Sequence, residues 1–229
     1  MHNNKIIQHC TYGIQQIWQY VSLLIIPSLC YYCKVFLSKR DIFCVNCTHK
    51  LFPIVSKQID ITQSFSVTVF AITDYQDPLK KLILAKRWSD SVASYYLGSL
   101  LWDMTPLSSL DYDVIVPMPL HWTRYAARGF NQAQEIARVI QKRKKVPLVN
   151  LLKRVKKTVF QYELVSSMRG NNVKNAFAVC ADDDALYKDK HILLIDDLMT
   201  TGSTIREAAK ELLKLKPKKI SVAVICRVI

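Results

Sequence analysis

Two rhythms of apolar and polar positions run along this chain. Ser66–Ile72 reads Ser-Val-Thr-Val-Phe-Ala-Ile, rich in β-branched residues, and is expected to be a strand. Asp113–Pro119 gives a short buried strand that runs into a loop stiffened by Pro117 and Pro119. His191–Asp196 is the clearest central strand, because its continuous apolar run implies burial on both faces. Lys219–Ile229 supplies a last strand. Between these lie segments of helical period. Asp77-Pro78 starts one and Ser91–Met104 forms another. Asn131 is placed to cap a third, in which Ala133, Ile136, Ala137 and Ile140 fall at i, i+3, i+4 and i+7. In a fourth, Ile205, Ala208, Ala209, Leu212 and Leu213 share one stripe. Strands alternating with helices predict an α/β fold with a doubly wound, mostly parallel sheet over residues 61–229. Residues 1–60 are expected to hold an amphipathic helix, roughly Ile14–Ile26, and a separate small module.

Composition supports that division. The 229 residues are 50% apolar, enough for one full α/β domain and a small addition. No apolar run reaches the roughly 20 residues of a spanning helix. Pro27 interrupts the longest early run, Val21–Ile26, and only Lys5 precedes it as a positive charge, so a cytoplasmic protein is expected. A formal net charge of +14 favours phosphorylated or polyanionic partners. Seven cysteines make an odd count, which suits metal binding better than a disulfide framework.

Four of these cysteines form two Cys-x-x-Cys turns, Cys30/Cys33 and Cys44/Cys47. Each turn offers two thiolates to one ion, and two turns complete a closed tetrahedral site, so a structural zinc is expected. Lys34 and Thr48 stand where zinc knuckles often carry glycine. The plainer alternative is four buried free thiols.

Residues 192–204 read Ile-Leu-Leu-Ile-Asp-Asp-Leu-Met-Thr-Thr-Gly-Ser-Thr. A strand that turns into a helix leaves free N–H groups at the helix start, and with the dipole they form an anion site. Gly202 permits close approach of a phosphate, and Thr200, Thr201, Ser203 and Thr204 add hydroxyl donors. Asp196 and Asp197 suit sugar hydroxyls or a metal-bound diol. No lysine follows the glycine, so this is not the ATP-binding P-loop. A merely capped helix with a Thr-rich turn is the bland reading.

This stretch resembles the phosphoribosyl-pyrophosphate (PRPP) motif of type I phosphoribosyltransferases. Val116–Ala133 and Thr158–Phe177 resemble signatures of the ComF branch, and the paired Cys-x-x-Cys turns match the same branch. The resemblance implies that Asp196 and Asp197 hold the ribose hydroxyls of PRPP while Thr200 to Thr204, with Gly202 between them, cradle its 5′-phosphate. It implies that Arg124 and Arg128 face the pyrophosphate, with Arg128 and the two aspartates in the catalytic roles, and that Mg²⁺ bridges pyrophosphate and ribose oxygens. Arg169 and Asn172 would lie on a mobile loop over the site. ComF relatives are associated with natural transformation, which implies single-stranded DNA and the DNA-uptake machinery as partners. Base transfer would need a hood that reads the base. The last strand ends this sequence, so any hood is expected from the N-terminal third, where no base-reading motif is found.

Arg138 to Lys157 carry nine basic residues and no acidic one. Of these, Lys142, Arg143, Lys144, Lys145, Lys153, Arg154, Lys156 and Lys157 are candidates for nucleic-acid binding, against the alternative of a solvated helix end. Lys210, Lys214, Lys216, Lys218 and Lys219 form a second cluster. Trp122, Tyr125 and Phe130 either stack bases beside Arg124 and Arg128 or belong to the core.

Overall fold

In a computed structural model of the chain, residues 28–39, 41–52, 54–84, 91–156, 174–180 and 184–228 are described. The helix expected over Ile14–Ile26 lies outside them. The chain divides into two compact units, Met1–Lys50 and Leu51–Ile229.

In the first unit, Leu29 and Phe36 form an antiparallel bridge around the Cys30-x-x-Cys33 turn, and Val45–Thr48 makes one helical turn. Lys34 adopts φ 64°, the left-handed conformation that glycine fills in many such knuckles. Its N–H donates to the Cys30 carbonyl at 2.9 Å, which closes the turn.

The second unit is built on a five-stranded sheet. β1 (Ile54–Thr62) is antiparallel to β2 (Phe65–Asp74). β3 (Val114–Pro117), β6 (His191–Met199) and β7 (Lys219–Arg227) run parallel with β2 in the order β1-β2-β7-β6-β3. β4 (Leu152–Arg154) and β5 (Phe177–Val179) form a separate antiparallel pair. The helices are α1 (Leu79–Leu84), α2 (Ser91–Met104), α3 (Trp122–Arg128), α4 (Gln132–Lys144) and α5 (Ser203–Leu212). The doubly wound α/β architecture is therefore present, with one antiparallel edge strand. β1 spans residues 60–61, and its edge position shows in the alternation of exposed Lys57, Gln58 and Asp60 with buried Ile59 and Ile61.

The period of two sorts the core into layers. Ile192 and Leu194 of β6 and Ile220, Val222 and Val224 of β7 pack with Ile205, Ala208, Ala209 and Leu212 of α5. Leu193, Ile195, Ala223 and Ile225 are fully buried at the intervening positions, which turn to the opposite face. That face carries α2 and α4, with Leu97, Leu101, Ile136 and Ile140 fully buried. Each such Leu or Ile contributes about 1.5–3 kcal/mol. α2 and α4 cross at Gly98, where a Cβ would stand 3.0 Å from Val139 Cβ. Leu213, expected on the buried stripe of α5, is only partly buried, because the helix has already tightened into a short 3₁₀ turn, Leu213–Leu215.

The two ends of the sheet are held differently. At the amino end, Asp113 Oδ2 accepts the His191 N–H at 2.8 Å, and His191 Nε2 lies 2.9 Å from Ser221 Oγ. The other ring nitrogen meets the Asp111 carbonyl. At the carboxyl end, Met118 N–H donates to the Ile195 carbonyl at 2.7 Å, tying the exit of β3 to β6. β3 feeds α4 on one face, while its neighbour β6 feeds α5 on the other. Their carboxyl ends therefore form a topological switch point, where doubly wound folds open a crevice for ligands.

Candidate phosphoribosyl site

β6 carries the central site residues into that crevice. Asp196 ends the continuous buried run of the strand, and Asp197 follows it half-buried. Burial pushes the Asp196 carboxyl well above the ordinary carboxylate range, and the neighbouring Asp197 charge adds to the shift. The Asp197 N–H, donated to Asp196 Oδ1 at 2.9 Å, and the Arg154 guanidinium oppose it. Thr200 and Thr201 follow, half-buried and exposed, and Gly202 caps α5 with φ 76°. A Cβ at Gly202 would meet Ile59 Cδ1 of β1 at 3.0 Å, so both conformation and space require glycine. Glycine offers no side-chain cap, and the first intrahelical bond is Arg206 N–H to the Gly202 carbonyl. The turn thus enters α5 at its N-terminus, the end at which a helix dipole favours an anion. Thr201 Oγ1 lies 3.0 Å from Ser203 Oγ, which holds the two hydroxyls on the same side of the turn.

Two residues that sequence reasoning did not assign to the site shape it. Arg206 donates from Nη1 to the Thr201 carbonyl at 3.1 Å and from Nε to the Asp60 carbonyl at 3.3 Å, pinning the turn to β1. An arginine in a first helical turn carries no sequence signal for this, because its partner lies 146 residues away. Arg154, grouped in the sequence with the basic stretch, is instead half-buried on β4. Its guanidinium sits 5.3 Å from the Phe177 ring centroid of β5, and its charge acts on Asp196.

The segment after β3, expected as a loop, is largely the helix α3. His121 caps it, its Nδ1 accepting the Thr123 N–H at 3.4 Å and lying 2.9 Å from Thr123 Oγ1. Gly129 ends it with φ 78°. These two residues supply the start and stop that the prolines obscured. Arg124 and Arg128 are four residues apart on α3, the helix that follows β3. Arg169, Asn172 and Lys157 lie outside the described residues, between β4 and β5.

The remaining basic candidates do not converge on the crevice. α4 runs back from it, so Lys142, Arg143, Lys144 and Lys145 end at the amino edge of the sheet. There Arg143 pairs with Asp103 at 2.6 Å, and Lys144 Nζ donates to the Ser108 carbonyl at 2.9 Å. Lys142, Lys145, Lys153 and Lys156 are exposed. Lys210 and Lys214 pair with Glu207 and Glu211 one turn away on the C-terminal half of α5 and just past it, at 2.8 and 2.7 Å.

In the first unit, the ligand sulfurs of Cys30, Cys33, Cys44 and Cys47 all lie within 4.8 Å of one another. A tetrahedral zinc site with Zn–S of about 2.3 Å sets its sulfurs about 3.8 Å apart, so this cluster could hold such a metal. Burial raises the Cys30 thiol, but backbone N–H groups, Cys44 N–H at 3.3 Å among them, outweigh it and bring it down to about 6. Burial raises Cys47 to about 12.

The doubly wound sheet, with its carboxylate pair and glycine turn at the switch point, defines a type I phosphoribosyltransferase-like domain. Residues 126–229 match the family model described as "Phosphoribosyl transferase domain". Competence protein F of Haemophilus influenzae is 37% identical over 111 residues, covering 48% of this chain and 48% of that protein. DNA utilization protein YhgH of Escherichia coli is 31% identical over 166 residues, covering 68% of this chain and 70% of that protein. Competence protein ComFC of Bacillus subtilis is 36% identical over 110 residues, covering 48% of this chain and 42% of that protein. The chain belongs to the ComF family of phosphoribosyltransferase-domain proteins.

Proposed function

We propose that this protein binds PRPP, or a 5′-phosphoribosyl product, together with Mg²⁺, and acts in DNA uptake on incoming single-stranded DNA. The observation that carries the ligand is the Asp196-Asp197 pair delivered by β6 directly before a glycine-entered helix start. The turn would take the 5′-phosphate through backbone N–H groups and hydroxyls, while the carboxylates would accept from the ribose hydroxyls. Mg²⁺ on the pyrophosphate would neutralise charge that no side chain in the turn can meet. The DNA half of the reading is supported by the net charge of +14 and by kinship with proteins named for competence and DNA utilization. A Cys₄ zinc would be structural, since four thiolates leave no open position.

Calorimetry with PRPP and Mg²⁺ tests the ligand. Binding is expected to be saturable and Mg²⁺-dependent, and lost in Asp197→Asn. Titration of a single-stranded oligonucleotide at several salt concentrations tests the DNA half. Affinity should fall steeply as salt rises, and affinity indifferent to salt would exclude a phosphate-backbone interaction.

The second reading is an active transferase in base or nucleotide salvage. At such a site C1 of the ribose becomes oxocarbenium-like as pyrophosphate leaves, and the protein positions the reactants and neutralises the departing charge. Pyrophosphate release from PRPP on adding a nucleobase would establish it.

A further inference from the structure

The solvent side of α3 is not what an amphipathic helix presents. Positions i, i+3, i+4 and i+7 are Trp122, Tyr125, Ala126 and Gly129, and all four are exposed. Trp122 is 72% and Tyr125 54% exposed. Such a stripe normally carries charged or polar side chains; here it is two aromatic rings followed by two positions with almost no side chain. A Cβ added at Gly129 would meet nothing within 4 Å, so the space at that position is open. The indole is not loose, because it leans on the buried His121 ring at 5.9 Å. Caps at both ends hold the seven-residue helix in place.

We propose that the Trp122–Tyr125 face of α3 is a base-stacking platform for single-stranded DNA at the mouth of the phosphoribosyl crevice. Exposed rings cannot enclose a free nucleobase, which is held by burying most of its surface in a pocket. A polymer needs no enclosure: its phosphates supply affinity to a basic chain, and each base adds stacking on an open ring. The amino-edge cluster fits a strand less well. There Arg143 is paired with Asp103, Lys190 with Asp113 and Lys214 with Glu211. The proposal rests on the DNA half of the function above and is independent of PRPP.

Fluorescence anisotropy with an oligo-dT of about 20 nucleotides, and with an abasic oligonucleotide of equal length, tests it on the full-length protein. Wild type should prefer oligo-dT about tenfold, quench tryptophan fluorescence on binding, and lose about tenfold in affinity in Trp122→Ala and in Tyr125→Ala. Trp122→Phe should keep most of the affinity and lose most of the quench. The salt dependence should be unchanged in all three, and Lys142→Gln/Lys145→Gln should bind oligo-dT as wild type does. If wild type binds oligo-dT but the aromatic variants bind it equally well, the platform is refuted and the DNA reading stands. If wild type binds no single strand, both fall. A wild-type dimer that Trp122→Ala splits in sedimentation would make the face an interface between copies instead.

Discussion

Asp196 is a carboxyl group that the fold holds at a cost. Its pKa is raised in the folded chain, so the proton-bound form is the favoured one there. The stabilisation this gives is complete below the ordinary carboxylate range and is lost as pH rises through the elevated folded value. Asp196→Asn, which mimics the protonated form, should therefore raise the melting temperature at pH 7–8 while abolishing PRPP binding. The gain should vanish when melting is followed at pH values below the usual range for aspartate. Each kcal/mol recovered would appear as about 2–4 °C in a domain of this size. Gly202→Ala should act in the opposite direction, forcing a strained φ and a contact with Ile59 for a loss of about 1–3 kcal/mol. PRPP binding should weaken with it, as read by calorimetry at a temperature where the variant stays folded. Lys34→Gly, at the other left-handed position that matters, should stabilise the cysteine unit by about 1 kcal/mol. These residues differ in how far the sequence announced them. The Asp pair and Gly202 stood out by spacing, whereas Arg206 and Arg154 did not, since each acts on a partner brought close only by β1 or β4.

Among the elements, those with one buried stripe or a continuous apolar run were legible. α4 begins where Asn131 caps it, with Asn131 Oδ1 accepting the Ala133 N–H at 3.1 Å and Nδ2 donating to the Met118 carbonyl at 2.9 Å. β6, β7 and α5 match their patterns because burial on fixed faces left no other arrangement. α3 was hidden because its exposed face is aromatic, so period and polarity disagreed. β1 was hidden because an edge strand buries only one side, and the β4–β5 pair because each strand is three residues long. The α2–α4 crossing yields an expectation at this scale. Gly98→Ala should cost about 1–3 kcal/mol in urea melts, since its Cβ would stand 3.0 Å from Val139 Cβ and 3.2 Å from Ile136 Cα. Val139→Ala in the same chain should recover part of that loss, and a double-mutant cycle reads the coupling.

At the scale of the whole molecule, the four-cysteine unit carries a prediction of its own. The purified protein should carry one equivalent of zinc by elemental analysis, and Cys44→Ser/Cys47→Ser should carry none. Loss of protection from hydrogen exchange across residues 28–50 should accompany that change, because thiolate coordination replaces a hydrophobic core that a unit this small cannot build. Among the described residues no helix is long and apolar enough to cross a membrane.

By itself the sequence determined the layer architecture, the four-cysteine cluster and the glycine turn with its carboxylates. All three depend on short-range spacing: period along a strand or helix, two residues between thiols, a glycine at a helix start. Which charges stand near that turn was decided only by the tertiary structure. α4 runs antiparallel to the strand before it, so thirteen residues of helix carry Lys142–Lys145 to the opposite edge. The chain returning through β4 brings Arg154 inward to Asp196. The exposure of Trp122 and Tyr125 was decided there as well, because identical residue types serve equally in a core or on a surface until the packing of α3 settles which side faces water.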